Sequence, residues 1–170
     1  MDLQRIIKLF LFTAAILITQ SLKAQSGEDL IEYCNDRFDF CMKYPSDVFV
    51  QKNISTNEDG LVLRSSDDNM RLRVYGYHNV LRNNASVELN NYIEMVEMDH
   101  PGMELIVLED KRSSENAFAI MRVGRIFYFV RTVYKGEDMI GLTLEINRKK
   151  DHTIESAKEI AEALIRQISI

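Results

Sequence analysis

The residues able to do chemistry are few and scattered. Three histidines, His78, His100 and His152, stand far apart in the chain. None belongs to an H-x-x-x-H, H-E-x-x-H or C-x-x-C arrangement, the spacings that bring metal ligands together on one element. Solvated or helix-capping imidazoles are the default reading, and a metal site assembled only in space is the alternative. A hydrolase needs an activated nucleophile with a base in reach. No G-x-S-x-G occurs, and Ser55, Ser65, Ser66, Ser113 and Ser114 lie in polar stretches where serine serves turns. The carboxylate pairs Glu58/Asp59, Asp67/Asp68, Glu109/Asp110 and Glu137/Asp138 fall at expected turns or strand ends and read as solvated. Asp67-Asp68-Asn69 lacks the spacing of a calcium loop. The seven glycines do not cluster into a phosphate cradle. The expectation is no catalytic residue, no metal and no cofactor.

Faces say more than motifs. Arg71, Arg73, Tyr75 and Tyr77 alternate with Leu72, Val74 and Gly76, so they share one side of a strand. One reading packs the two tyrosines beneath a helix with the arginines at its rim. The sharper reading is a recognition patch, because Arg and Tyr are enriched at binding hot spots. Met95, Met98 and Met103 gather near the end of an expected helix. Methionine fills gaps in cores and also suits adaptable binding surfaces. The candidate binding face is therefore Arg71, Arg73, Tyr75, Tyr77, Met95 and Met98. Arg148-Lys149-Lys150 reads as a solvated turn.

Cys34 and Cys41 are the only cysteines. A pair this close in an exported chain suggests a disulfide, with two free thiols as the alternative. Register supports the bond. With Cys34 opposite Cys41 in an antiparallel hairpin, Tyr33 faces Met42 and Ile31 faces Tyr44. The turn then lies at Asp36-Arg37-Phe38-Asp39. Six intervening residues do not make a redox C-x-x-C site.

Export is read from the N-terminus. Arg5 and Lys8 precede Leu9–Ile18, ten residues with only Thr13 polar, and a more polar stretch ends at Ala24. Positive, apolar, then small is the pattern of a secretory signal peptide over 1–24. Ten helical residues span about 15 Å, half of a bilayer core, so a membrane anchor is the weaker reading. Cleavage would remove Asp2, Arg5, Lys8 and Lys23. The 21 basic and 26 acidic residues then become 18 and 25, for a net charge of −7 against −5 before. Such a chain suits neither nucleic acid nor an anionic membrane as main partner.

Residues 25–170 read as one domain. Phe38, Phe40, Met42 and Tyr44 alternate into a strand that Pro45 ends. Residues 51–60 are polar and read as a loop. Strands follow at 61–64 and 70–77. Ser86 is the expected N-cap of an amphipathic helix over 87–98, stopped by Asp99-His100-Pro101-Gly102. Strands are expected at 103–109, 116–123, 125–134 and 138–147, and a helix at about 153–168. The strand at 125–134 is apolar on both sides and should be central, covered twice. The fold class is α+β, an antiparallel sheet flanked by helices.

Three segments carry a family resemblance. They are Phe40-Cys41-Met42-Lys43-Tyr44-Pro45-Ser46-Asp47, Asp59 through Asp68, and Leu72-Arg73-Val74-Tyr75-Gly76. Together with the late strand and closing helix, they resemble the PsbP-like family, whose fold is shared with Ran-binding Mog proteins and DcrB-type envelope proteins. The resemblance implies an α/β/α sandwich and a docking or assembly role without a common catalytic set. The cysteine pair is not part of it. The expected function is an exported, non-enzymatic accessory protein of the bacterial envelope, periplasmic or extracellular, that docks a protein partner. A small-ligand or lipid-binding module is the alternative, and an enzyme the third possibility.

Overall fold

A computed structural model describes residues 30–147. The expected leader, the helix at 153–168 and His152 lie outside the described residues. Within them, nine strands and one helix run in the order β1 (Leu30–Asn35), β2 (Phe40–Pro45), β3 (Phe49–Ile54), β4 (Gly60–Ser65), β5 (Met70–His78), α1 (Ala85–Asp99), β6 (Leu105–Arg112), β7 (Asn116–Val123), β8 (Ile126–Lys135) and β9 (Asp138–Asn147). β1 and β2 form a separate hairpin. The other seven strands make one sheet, ordered β3-β4-β5-β9-β8-β7-β6, with every neighbouring pair antiparallel. The described chain is α+β, mostly antiparallel sheet with one helix.

Alternation decides which side chains meet. On one face of the sheet, Leu72 and Val74 of β5, Phe127 and Phe129 of β8, and Leu142 and Leu144 of β9 are buried. The hairpin closes this face with Tyr33, Phe38, Phe40, Met42 and Tyr44, in one continuous core. On the other face, Tyr128 and Val130 of β8 and Ala119 and Met121 of β7 pack against Leu89, Tyr92 and Val96 of α1. β8 is therefore central and buried on both sides, as its sequence requires. We call the two surfaces the hairpin face and the helix face.

The hairpin register matches the sequence reading residue for residue: Cys34 opposite Cys41, Tyr33 opposite Met42, Ile31 opposite Tyr44. Cys34 and Cys41 are disulfide-bonded. At the hairpin's tip, the buried Asn35 accepts a hydrogen bond from the Phe38 N–H at 3.1 Å and donates to the Glu58 carbonyl at 2.9 Å. Lys135 adds an ion pair to Asp39 at 2.7 Å, which holds the Asp39 carboxyl below its usual range. Phe38 lies directly on Gly76, where a Cβ would sit 2.4 Å from the ring.

Three sequence expectations need correction. Residues 51–60 are not all loop, because β3 continues to Ile54 as an edge strand. Its outward side chains are exposed, so an edge strand needs no apolar alternation to pair with β4. The N-cap of α1 is Asn84, not Ser86. Asn84 Oδ1 accepts the Val87 N–H at 3.0 Å, while the Ser86 hydroxyl donates to the Ser113 carbonyl. The helix accordingly starts two residues earlier than expected, at Ala85. The strand expected at 103–109 runs from Leu105 to Arg112 instead, with an irregularity between Val107 and Glu109. A bulge of this kind blurs the period of two on which the reading relied.

Two outcomes test this packing. Gly76→Ala forces Phe38 off its seat and should destabilise the fold by about 1–3 kcal/mol in urea denaturation, the usual cost of overpacking; a loss below about 0.5 kcal/mol would refute the contact. Reducing Cys34–Cys41 should cost less than the ~3 kcal/mol of a 15-residue loop, since only seven positions separate the two cysteines. Equal thiol titres of the unfolded protein before and after reduction would refute the bond.

Candidate functional site

The register across β4, β5 and β9 sets the polar part of the helix face. Arg71 stands between Arg64 and Glu145, and Arg73 between Val62 and Thr143. Tyr75 lies beside Gly141, where a Cβ would sit 2.5 Å from the phenol ring. The missing side chain at Gly141 is what lets Tyr75 lie flat on the sheet. Tyr75 and Tyr77 stack with ring centroids 6.0 Å apart. All four residues read from the sequence as one side of a strand do share one face, and each is half-buried.

Charges on this face are mostly matched within the fold. Arg73 pairs with Glu145 at 3.8 Å, and Arg64 with Asp68 at 2.7 Å. Glu88 of α1 lies against Tyr77 and accepts from the Asn83 amide at 2.6 Å. Burial, then the Glu88 carboxylate, push the Tyr77 phenol up. Burial is also the main cause of the raised Tyr75 and Tyr92 phenols. Two donors stay unmatched. The buried Arg71 Nε and the buried Tyr92 hydroxyl have no hydrogen-bond partner among the described residues. Thr143 and Arg73 are polar neighbours of Tyr92 without the geometry of a hydrogen bond.

The methionines divide. Spacings of seven and three residues put Met95 on the same flank of α1 as Glu88 and Tyr92, the flank turned towards Tyr77 and Arg73. Met98 is 73% exposed and turned away from the buried stripe of Leu89, Tyr92 and Val96, so it points to solvent and not to the Arg/Tyr face. Met103 is also exposed, and its methyl group lies near Gly124. None of the three fills the core.

The two described histidines are each held by a polar partner. His78 Nδ1 is 2.7 Å from Asp138 Oδ1, and its ring leans on Phe38. It lines a cleft of about 580 Å³ with Asn79, Val80, Arg82, Tyr134 and Glu137, a lining that holds neither serine nor cysteine. His100 Nε2 meets the Tyr128 hydroxyl at 2.8 Å, beside the end of α1.

Sequence reasoning missed one feature, the connection from β5 to α1. Asn79 is buried and its side chain clamps the loop. Its amide donates to the Asn83 carbonyl at 2.6 Å, and its Oδ1 accepts the Asn83 N–H at 3.0 Å. The Asn79 N–H donates to the Glu137 carbonyl at 2.9 Å. Between these anchors Val80 and Leu81 are 83% and 77% exposed. The signal was an aliphatic pair inside the polar connector His78-Asn79-Val80-Leu81-Arg82-Asn83-Asn84.

No family model matches the chain, and no curated protein matches it. Solved structures do. The cyanobacterial PsbP of Synechocystis sp. PCC 6803 (CyanoP) superposes with a TM-score of 0.64 over 86% of this chain and 95% of that one, at 11% identity. The Ran-binding protein Mog1p of Saccharomyces cerevisiae superposes with a TM-score of 0.59 over 85% and 96%, at 6% identity. The chain has a PsbP-like fold. At such low identity the likeness concerns the fold alone. The PsbP-like frame read from the sequence is thus present.

The helix face makes a prediction about pH. Burial and the nearby Glu145 carboxylate raise the Tyr128 phenol from 10.0 to about 12. The folded state therefore keeps a proton that the unfolded chain releases above pH 10. This contribution to stability is complete below pH 10 and is lost as pH rises from 10 to about 12. Thermal unfolding should show Tm falling across that window, and Tyr128→Phe should make the fall shallower. Identical slopes for the two proteins would overturn the assignment.

Proposed function

We propose that this protein is an exported, non-enzymatic accessory protein that docks a protein partner, and that the docking surface runs along β5. The observation that carries the reading is the rigid presentation of Val80 and Leu81. Apolar side chains held outward by a buried, hydrogen-bonded asparagine cost solubility and gain nothing for the fold. A preorganised apolar prong lowers the entropy lost when a partner covers it. The half-buried Arg71, Arg73, Tyr75 and Tyr77 continue the same strand, and Met95 borders them. Arg71 and His78 are seven residues apart on β5, about 23 Å at ~3.3 Å per residue, a distance one standard-sized interface can cover.

Export is the compartment we propose, to the periplasm or cell surface after cleavage of residues 1–24. The exposed Cys34 in a disulfide suits an oxidising compartment. Among the described residues no helix is long and apolar enough to cross a membrane. In the full domain we expect the helix at 153–168 to complete an α/β/α sandwich. The fold is one that a Ran-binding protein also uses, so it can support protein recognition. The second reading, a small-ligand or lipid carrier, needs an apolar cavity. The cleft beside the prong is lined mainly by His78, Asn79, Arg82 and Glu137, which favours a protein surface over a lipid.

Crosslinking from the prong tests the proposal. A photoreactive residue at position 81, in cells, should give discrete protein adducts. Val80→Asp with Leu81→Asp should abolish binding of the captured partner while changing Tm by little, since both side chains are solvated. Unchanged binding in the double variant, or lipid adducts in place of protein, would sink the docking reading.

A further inference from the structure

The helix face holds a cleft of about 250 Å³ between β3, β4 and β5, lined by Gln51, Lys52, Asn53, Val62, Arg64 and Arg71. Gln51, Arg64 and Arg71 form one row across the three strands, and Asn53 and Val62 lie in the next row. The cationic side chains here are not equivalent. Arg64 is neutralised by Asp68 at 2.7 Å. Lys52 sends its ammonium over the Tyr33 ring, 5.8 Å from its centroid and on the hairpin side of the sheet. Arg71 has no carboxylate within ion-pair distance among the described residues: Glu145 stands opposite it in the same row but pairs with Arg73, so the two arginines share one carboxylate and one cation is in excess. The buried Nε of Arg71 has no acceptor among the described residues. A buried, charged donor without an acceptor is costly and rarely persists unmatched. The Nε is itself covered, but Arg71 is only half-buried and lines the cleft, so what an incoming carboxylate can reach is the outer edge of the guanidinium fork.

We propose that this cleft receives one carboxylate side chain, an Asp or Glu of the docking partner, with Arg71 as its bidentate partner and the Gln51 and Asn53 amides as flanking donors. The site depends on the docking reading above and specifies which chemistry that surface recognises. Guanidinium matches carboxylate geometry with two parallel N–H···O bonds, and primary amides donate to the remaining lone pairs. The cleft is smaller than the usual small-molecule pocket of about 300–1,000 Å³, which suits a single side chain. One uncompensated cation balances one carboxylate. A multiply charged phosphate would meet a chain of net charge −5 with one free guanidinium to hold it.

The experiment is an NMR titration of the purified protein, observing the Arg71 Nε–Hε resonance. The probes are N-acetyl-glutamate amide, its glutamine counterpart and inorganic phosphate. Saturable shifts with the glutamate probe, absent with the glutamine probe and weakened at least tenfold by Arg71→Lys, are expected. No shift with glutamate would overturn the inference, as would a stronger response to phosphate. An Nε–Hε signal indifferent to all three probes would mean that ordered water alone satisfies the donor. Binding of the captured partner separates the two proposals. If Arg71→Gln, with its fold verified by Tm, binds normally while the Val80/Leu81 double variant does not, docking stands and the carboxylate site falls. If neither variant loses binding, the docking reading itself has failed.

Discussion

Burial of β8 and β9 on both faces is the constraint around which the rest of the structure is arranged. An antiparallel sheet can leave one face to water, and this one cannot. Phe127 and Phe129 point one way from β8, and Tyr128 and Val130 the other, all nearly inaccessible. Each face therefore needs a cover, and the two covers differ in kind. The hairpin brings five large apolar side chains, worth about 1.5–3 kcal/mol each when fully buried, and is fastened at its tip through Asn35 and Phe38. The helix brings Leu89, Tyr92 and Val96, and sits over β7 and β8. Small residues in the sheet make room for a ring on each face: Gly76 under Phe38 of the hairpin, and Gly141 beside Tyr75 of β5 itself.

Among the described residues the helix cover is narrower than the sheet. Beyond it the face turns polar, and that change produces the surface we assign to recognition. Tyrosine there does two jobs, since its ring fills space against the sheet while its hydroxyl needs a polar neighbour. Tyr77 finds Glu88, and Tyr128 finds His100. Tyr92 and Arg71 are left with unmatched buried donors. Buried polar groups are almost always paired, so the exceptions mark where the fold by itself is incomplete. The exposed Val80–Leu81 loop is the apolar counterpart at the other end of β5. The apolar projection and the half-buried arginine are the two features on which the docking surface we propose rests.

The sequence by itself determined the parts governed by local periodicity. The disulfide hairpin, down to its register, followed from alternation about Cys34 and Cys41. The strands at 116–123 and 138–147 agree with the structure to the residue, because Gly124 and Gly136 mark their turns; in the second, Ile140, Leu142, Leu144 and Ile146 also alternate without a break. The double burial of β8 and the shared side of Arg71, Arg73, Tyr75 and Tyr77 were equally legible, since a period of two leaves no other arrangement. Tertiary structure decided whatever depended on neighbours. β3 is a strand only because β4 offers it an edge, and its polar side chains gave no pattern. Asn84 outcompetes Ser86 as the cap because the Ser113 carbonyl takes the Ser86 hydroxyl. Met95 and Met98 stand three residues apart and were grouped in sequence, yet the docking of α1 turns one towards the Arg/Tyr face and the other to solvent. Which arginine would be left unpaired could not be read from a row of alternating residues. Asp68 reaches Arg64 from the β4–β5 turn, Glu145 reaches Arg73 from the neighbouring strand β9, and Arg71 is what remains.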